Sequence, residues 1–209
     1  MSDPSASTSG SNRSRAGGRH ARAIIALGSN QGDRLATLQS AATRIRGGAL
    51  PLSWLAKSSA IYETRPVGPT TLDFLNAALE LRTAAEPTEL LDALMQLEHD
   101  HGRVRVGPGA VADRTLDLDL LMYLLPTDDG YVSMELATSR LRLPHPRMLE
   151  RDFVLAPLVD VLGDEPLLAG KTAQEHLDAL RRDRRSLISK REEPLVPPLV
   201  AEPFDGDWD

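Results

Sequence analysis

Apolar positions fall along this chain in two rhythms, one helical and one alternating, and their order sketches a fold before any residue has a chemical role. Ala23 to Leu27 is a short apolar run ending at Gly28-Ser29-Asn30, which reads as a buried strand turning towards a helix. Leu35, Leu38 and Ile45 then share one helical stripe that stops at Gly47-Gly48, a C-terminal signal. Two strands are predicted around Trp54 to Tyr62 and Phe74 to Arg82, joined by a loop that Pro66, Gly68 and Pro69 stiffen and shape. A second helix is expected from Thr88 to His101, with Leu90, Leu91, Leu94 and Leu97 facing the core and Gly102 ending it. A further strand occupies Leu116 to Leu125. The order strand, helix, strand, strand, helix, strand predicts an α+β fold, a ferredoxin-like antiparallel sheet with helices packed on its faces. Beyond it lie a helix near Met148 and another from Thr172 to about Arg184.

The two ends read differently. Residues 1–22 are rich in Ser, Gly and Arg with almost nothing apolar, so they bury too little surface to offset ordering entropy and are expected to be a disordered arm. Residues 23–188 are expected to form one domain, and residues 189–209, proline-rich and acidic, a tail.

Composition narrows the chemistry. A chain of 209 residues with 41% hydrophobic content suffices for one sizeable core. It has no cysteine, which removes disulfides, thiolate zinc sites and cysteine nucleophiles, and fits a cytoplasmic location. The formal charge is −6; four arginines against one aspartate among residues 1–22 leave −9 for the rest. That balance argues against a broad basic surface for nucleic acid. The longest apolar stretch is far short of a membrane span and is broken by two aspartates, so no membrane-crossing helix is predicted. A monomer is the simplest assembly.

Those two aspartates, Asp117 and Asp119, are the most telling feature. In a strand both carboxylates project from one face, with α-carbons about 6.6 Å apart, while Leu118 and Leu120 enter the core. Side by side they repel, which raises at least one pKa unless a cation intervenes. Oxygen-only ligands suit magnesium, usually held by one or two carboxylates plus substrate phosphates, so phosphoryl transfer is the first hypothesis. The same spacing also describes a half-solvated edge strand, and context has to choose between the two.

The context is basic. Arg103 and Arg105 follow the second helix and Arg114 precedes the aspartates, each a planar fork of donors suited to phosphate oxygens. His145 stands between Pro144 and Pro146, which hold its backbone extended, and a histidine so placed can donate to a phosphate or a leaving group. Asn76, on a largely apolar strand, has the donors and acceptors to read a flat heterocycle, and Phe153 offers a ring to stack on one. Gly28 either lets backbone approach a ligand or serves the turn.

Taken in order, six blocks of residues resemble the hydroxymethyl-dihydropterin pyrophosphokinases. They are Gly28-Ser29-Asn30 with Gly32-Asp33-Arg34; Tyr62-Glu63-Thr64 with Pro66 and Gly68; Phe74-Leu75-Asn76-Ala77; Gly102-Arg103-Val104-Arg105; Arg114-Thr115-Leu116-Asp117-Leu118-Asp119; and Leu143-Pro144-His145-Pro146-Arg147-Met148. The resemblance runs from about Ala23 to Val161. It implies transfer of the pyrophosphoryl group from ATP to 6-hydroxymethyl-7,8-dihydropterin, releasing AMP, in tetrahydrofolate synthesis. By similarity Asp117 and Asp119 would hold two magnesium ions that bridge the triphosphate. Arg103, Arg114, His145 and Arg151 match phosphate-contacting positions, and Glu98, Arg105, Leu120 and Arg140 would lie around the nucleotide. The pterin would sit among Thr64, Pro66, Val67, Phe74, Asn76, Asp117 and Phe153. Association with other folate-pathway enzymes stays open.

One segment departs from that pattern. Between Arg105 and Arg114 the family loop usually carries a tryptophan, further basic residues and a proline; here it reads Val106-Gly107-Pro108-Gly109-Ala110-Val111-Ala112-Asp113. Retained chemistry with weaker ATP closure or slower turnover is expected. The main rival is a regulatory or catalytically weakened pterin- or nucleotide-binding module of the same fold. A nucleotidyl-transfer palm domain would need a basic track that the acidic body lacks.

Overall fold

The computed structural model describes residues 20–67, 70–103, 114–180 and 186–198. Its centre is β1 (Ala21–Ser29), antiparallel to β4 (Phe74–Thr83) on one side and to β5 (Asp117–Thr127) on the other. A strand enclosed in this way is buried on both faces, which is why β1 reads as a continuous apolar run. Beyond β4 come β3 (Ala60–Thr64) and β11 (Leu187–Pro194), β2 (Ser53–Ser58) pairs with the far end of β4, and β6 (Gly130–Ser133) extends β5.

The expected strand from Trp54 to Tyr62 is interrupted at Ser59. Its N–H donates to the Ala78 carbonyl at 2.9 Å, and its Oγ accepts the Ala78 N–H at 2.8 Å, so a side chain stands in for a backbone rung. Two small hairpins complete the strands: β7 (Leu136–Ala137) with β8 (Arg142–Leu143), and β9 (Pro166–Leu168) with β10 (Lys171–Thr172).

Helices cover both faces of the sheet. On one, α1 (Arg34–Arg46) sets Leu38, Ala41, Ala42 and Ile45, and α2 (Pro87–Asp100) sets Leu90, Leu94 and Leu97, against Ala23, Ile25, Leu27, Leu118 and Leu120. Each fully buried leucine or isoleucine contributes about 1.5–3 kcal/mol. On the other, α3 (Asp152–Leu162) and α4 (Ala173–Ala179) cover Ile24, Ala78, Leu121 and Met122. The second helical layer stops short of the Gly28 end of the sheet and leaves that stretch open, and the site lies there.

Three boundaries differ from the sequence reading. Ala21 and Arg22, assigned to the arm, are buried in β1, where Arg22 donates to Glu80 through Nε at 2.8 Å and Nη2 at 2.9 Å. β11 runs through the boundary drawn at 188/189; its alternating half-burial is too weak a pattern to stand out beside three prolines. The last helix ends at Ala179, and residues 181–185 lie outside the described residues. Among the described residues no helix is long and apolar enough to cross a membrane.

Candidate active site

Strand pairing builds the floor. Asn76 of β4 and Asp117 of β5 both pair with Gly28 of β1, so the three share one row on one face. Gly28 is therefore more than a turn residue: a β-carbon there would lie 3.3 Å from Asn76 Oδ1 and 3.8 Å from Asp117 Cβ. Its hydrogen keeps the floor low between a carboxamide and a carboxylate. Asp119 lies one pleat further along, opposite Ala26.

A cavity of about 170 Å³ opens over this floor. Thr64, Val67, Phe74 and Asn76 line one wall, and Phe153, Arg151 and Arg147 the other. Asn76 Nδ2 donates to Thr64 Oγ1 at 2.7 Å, which fixes the amide and leaves its Oδ1 over Gly28. Pro66 lies between the lining residues Arg65 and Val67. The Arg151 guanidinium sits 5.4 Å from the Phe153 ring centroid, a cation-π arrangement.

Asp117 is the hub of the charges. Its Oδ1 accepts from Arg103 Nη1 at 2.6 Å and its Oδ2 from Arg114 Nη1. Glu98, 1% exposed on α2, accepts from Arg103 Nη1 and from the Leu118 N–H at 2.8 Å, so it aims Arg103 and anchors the start of β5. Asn30 braces Arg114 from behind: its Oδ1 accepts the Arg114 N–H at 2.7 Å.

The bulge in β5 places the histidine. Ile24 pairs with Met122 and Ile25 with Leu120, so Leu121 is the extra residue, and its carbonyl accepts the His145 N–H at 2.8 Å. The Arg147 N–H donates to His145 Nδ1 at 3.3 Å, which leaves Nε2 to carry the proton of the neutral ring.

Electrostatics separate the groups. Burial, with the Asp117 charge second, raises the Asp119 carboxyl above its ordinary value. Burial lowers His145; Asp119 opposes that shift while Arg151 and Arg147 add to it. Burial and then Arg147 lower Arg151, against the opposing pull of Asp119 and Asp117.

Not every candidate reaches the cavity. Leu120 is buried in the cluster against α1 and α2, on the opposite face from Asp119, as strand alternation requires. Arg140 pairs with Asp92 on α2 and is absent from the cavity lining. Arg105, the segment from Val106 to Asp113, and Gly68 lie outside the described residues. Arg65 and Thr70 line the cavity although nothing in their spacing marked them, and Arg147, quoted only within the block from Leu143 to Met148, lines it too; the turns that bring them in are tertiary.

The residues fit magnesium of one kind. Among the described residues no cluster of three or more metal-ligating side chains exists, so a free-standing cage is absent. Two adjacent carboxylates, one of them held abnormally basic by burial and then by the other, suit a cation that arrives with phosphate oxygens.

A ferredoxin-like sheet that brings a carboxylate pair, several arginines and two phenylalanines to one cavity fits the class of phosphoryl-type group transferases. A family model described as 7,8-dihydro-6-hydroxymethylpterin-pyrophosphokinase (HPPK) matches residues 24–163. The 2-amino-4-hydroxy-6-hydroxymethyldihydropteridine pyrophosphokinase of Bacillus subtilis is 43% identical over 143 residues, 66% of this chain and 77% of that protein. That of Methylorubrum extorquens is 37% identical over 163 residues, 76% of this chain and 93% of that one. A mitochondrial folate synthesis bifunctional protein of Arabidopsis thaliana is 41% identical, but this chain spans 23% of its length. A solved HPPK-DHPS in complex with substrates superposes with a TM-score of 0.56 at 13% identity, covering 78% of this chain and 43% of that one, a likeness of fold.

The chain belongs to the 7,8-dihydro-6-hydroxymethylpterin pyrophosphokinase family. It is an ATP-dependent pyrophosphokinase that transfers pyrophosphate from ATP to hydroxymethyldihydropterin in folate biosynthesis, and its use of ATP implies magnesium.

Proposed function

We propose that the Gly28 floor and the carboxylate pair beside it are where the transfer takes place. The observation that carries this is continuity: one open stretch of sheet joins the slot between Phe74 and Phe153 to the carboxylate ringed by Arg103, Arg114 and Arg151.

In this reading Phe74 and Phe153 take the faces of the pterin, and Thr64, Pro66 and Val67 border it. Asn76 has spent a donor on Thr64, so its Oδ1 remains to accept from the amino edge of the heterocycle. Asp117 and Asp119 would hold two magnesium ions brought with ATP, and the chemistry these would supply is neutralisation of triphosphate charge. Arg103 and Arg114 reach the same phosphates because each already bonds Asp117. Arg151 adds a further cation, and Nε2–H of neutral His145 donates to a phosphate oxygen. By the sequence resemblance Arg105 would also belong to the nucleotide site; Glu98 aims Arg103. Leu120 and Arg140 take no direct part.

The test is product identity. Incubation with ATP, magnesium and the reduced hydroxymethylpterin should yield AMP and the pterin diphosphate. ADP as product, or tight pterin binding with no turnover, would overturn the reading. The second outcome is the regulatory or weakened module, which one observation favours: residues 106–113 carry neither tryptophan nor arginine. Installing both there should lower the KM for ATP if that segment limits closure.

The absence of cysteine supports the cytoplasm, and a monomer is the simplest assembly. The bifunctional relatives support association with other folate-pathway enzymes.

A further inference from the structure

Asp152 stands between Arg151 and Phe153, both of which line the cavity, yet it is not itself a lining residue. It is 1% exposed. Its Oδ1 accepts from Ser186 Oγ at 2.6 Å and from the Phe153 N–H at 2.9 Å; its Oδ2 accepts from the Ser186 N–H and from the Leu187 N–H at 3.0 Å. A carboxylate this deep is tolerated because it is so fully supplied with donors, and because it opens α3, where the helix dipole favours an anion.

The donors come from one place, the start of β11. Ser186 is itself buried, and its carbonyl accepts the Arg65 N–H at 2.8 Å. Leu187 pairs with Thr64, whose Oγ1 accepts from Asn76. One continuous set of bonds therefore runs from the wall of Arg151 and Phe153, through Asp152 and Ser186, to the wall of Thr64, Arg65 and Asn76. The two walls are distant in sequence, and Ser186 lies beyond the stretch that the family model matches.

We propose that Asp152 is a positioning residue for pterin recognition, acting through Ser186 to fix the width of the slot between Phe153 and Thr64. The proposal rests on the reading of this cavity as the pterin site. A flat ring held between two walls is sensitive to their separation, whereas Arg103 and Arg114 at the phosphate end, fastened by Asp117, Glu98 and Asn30, do not depend on Ser186, and Arg151 alone there adjoins the latch. Loosening the latch should therefore weaken the pterin and spare ATP.

The experiment is steady-state kinetics on the full chain with each substrate varied separately, for Asp152→Asn, Ser186→Ala and Ser186→Thr. Asparagine keeps one acceptor but sets an NH2 against backbone N–H groups, so Asp152→Asn should raise the pterin KM about tenfold. Ser186→Ala should raise it about threefold, and Ser186→Thr, which keeps the hydroxyl, should restore it. In all three the ATP KM and kcat should stay within about twofold of the parent. Should Asp152→Asn fail to fold, the serine pair still decides. An unchanged pterin KM in Ser186→Ala, or equal losses for both substrates, overturns the proposal. Asn76→Ala serves as the control: if it too leaves the pterin KM unchanged, the cavity reading fails and the latch with it, whereas a raised KM there isolates failure to the latch.

Discussion

Asn30 and Arg114 hold each other by a reciprocal pair of hydrogen bonds: the Arg114 N–H donates to Asn30 Oδ1 at 2.7 Å, and the Asn30 N–H donates to the Arg114 carbonyl at 3.1 Å. The end of β1 thereby fixes the backbone that carries Arg114, one of the two arginines bonded to Asp117. Asn30→Ala leaves a largely enclosed N–H without its acceptor and frees Arg114 to turn. The ATP KM should rise about tenfold with the pterin KM little changed, read by varying each substrate in turn.

Gly28→Ala tests the floor. The added methyl would approach Asn76 Oδ1 to 3.3 Å, tight enough to push the carboxamide, and the cavity above would lose depth. The backbone there is ordinary strand, so the melting temperature should move by only a few degrees. Pterin affinity, measured by calorimetry with a non-hydrolysable ATP analogue present, should fall about threefold to tenfold. An unaltered affinity would show that the heterocycle does not rest on Gly28.

Asp119 trades stability for function. Its folded-state pKa is raised, by burial and then by Asp117, so the folded chain binds this proton more tightly than the unfolded chain does. The stability it contributes is fully present below the unfolded carboxylate pKa and is lost as pH rises through the folded value. At neutral pH Asp119→Asn should accordingly raise the melting temperature by a few degrees. It should also cut turnover by about 100-fold or more. A variant that melts lower at pH 7 would contradict the electrostatic account.

His145 should titrate below the ordinary imidazole range. Burial is the main cause, and Arg151 and Arg147 add to it against the pull of Asp119. A depressed pKa means that this group's contribution to stability holds above the unfolded value and is lost as pH falls towards the folded one. An NMR titration of the ring protons should show the low value, and adding ATP should raise it, because phosphate favours the charged ring. A titration unmoved by ATP would remove His145 from the phosphate site.

Far from the cavity, Arg22 and Glu80 form a buried, two-pronged ion pair, with Glu80 fully enclosed. Arg22→Met strands that carboxylate beside Lys57 and Arg82, which compensate it in part. The cost should be about 3 kcal/mol in urea unfolding, with kcat per folded molecule unchanged.

How far the sequence reached follows from the range of each signal. β1, α1, β4, α2 and β5 were legible because each carries its own hydrophobic period, and a strand's two-residue repeat is enough to put Asp117 and Asp119 on one face. The Leu120 side chain faces the core by that same repeat: neighbouring Asp119 in a strand means facing away from it. Arg140 is turned by a hairpin to Asp92, a pairing that no local pattern records. Arg65, Asn30 and Asp152 acquire their places from partners dozens of residues away, Ser186, Arg114 and Ser186 again.

By itself, then, the sequence determined the order of strands and helices, the paired carboxylates and the family, since all three are written in spacings of a few residues. Only the tertiary structure decided which arginines share Asp117, that Gly28 is the floor, and that β11 ties the two walls of the slot together. Those facts depend on strand register and on where the chain returns, and both are settled by the packing of the whole core rather than by any local run of residues.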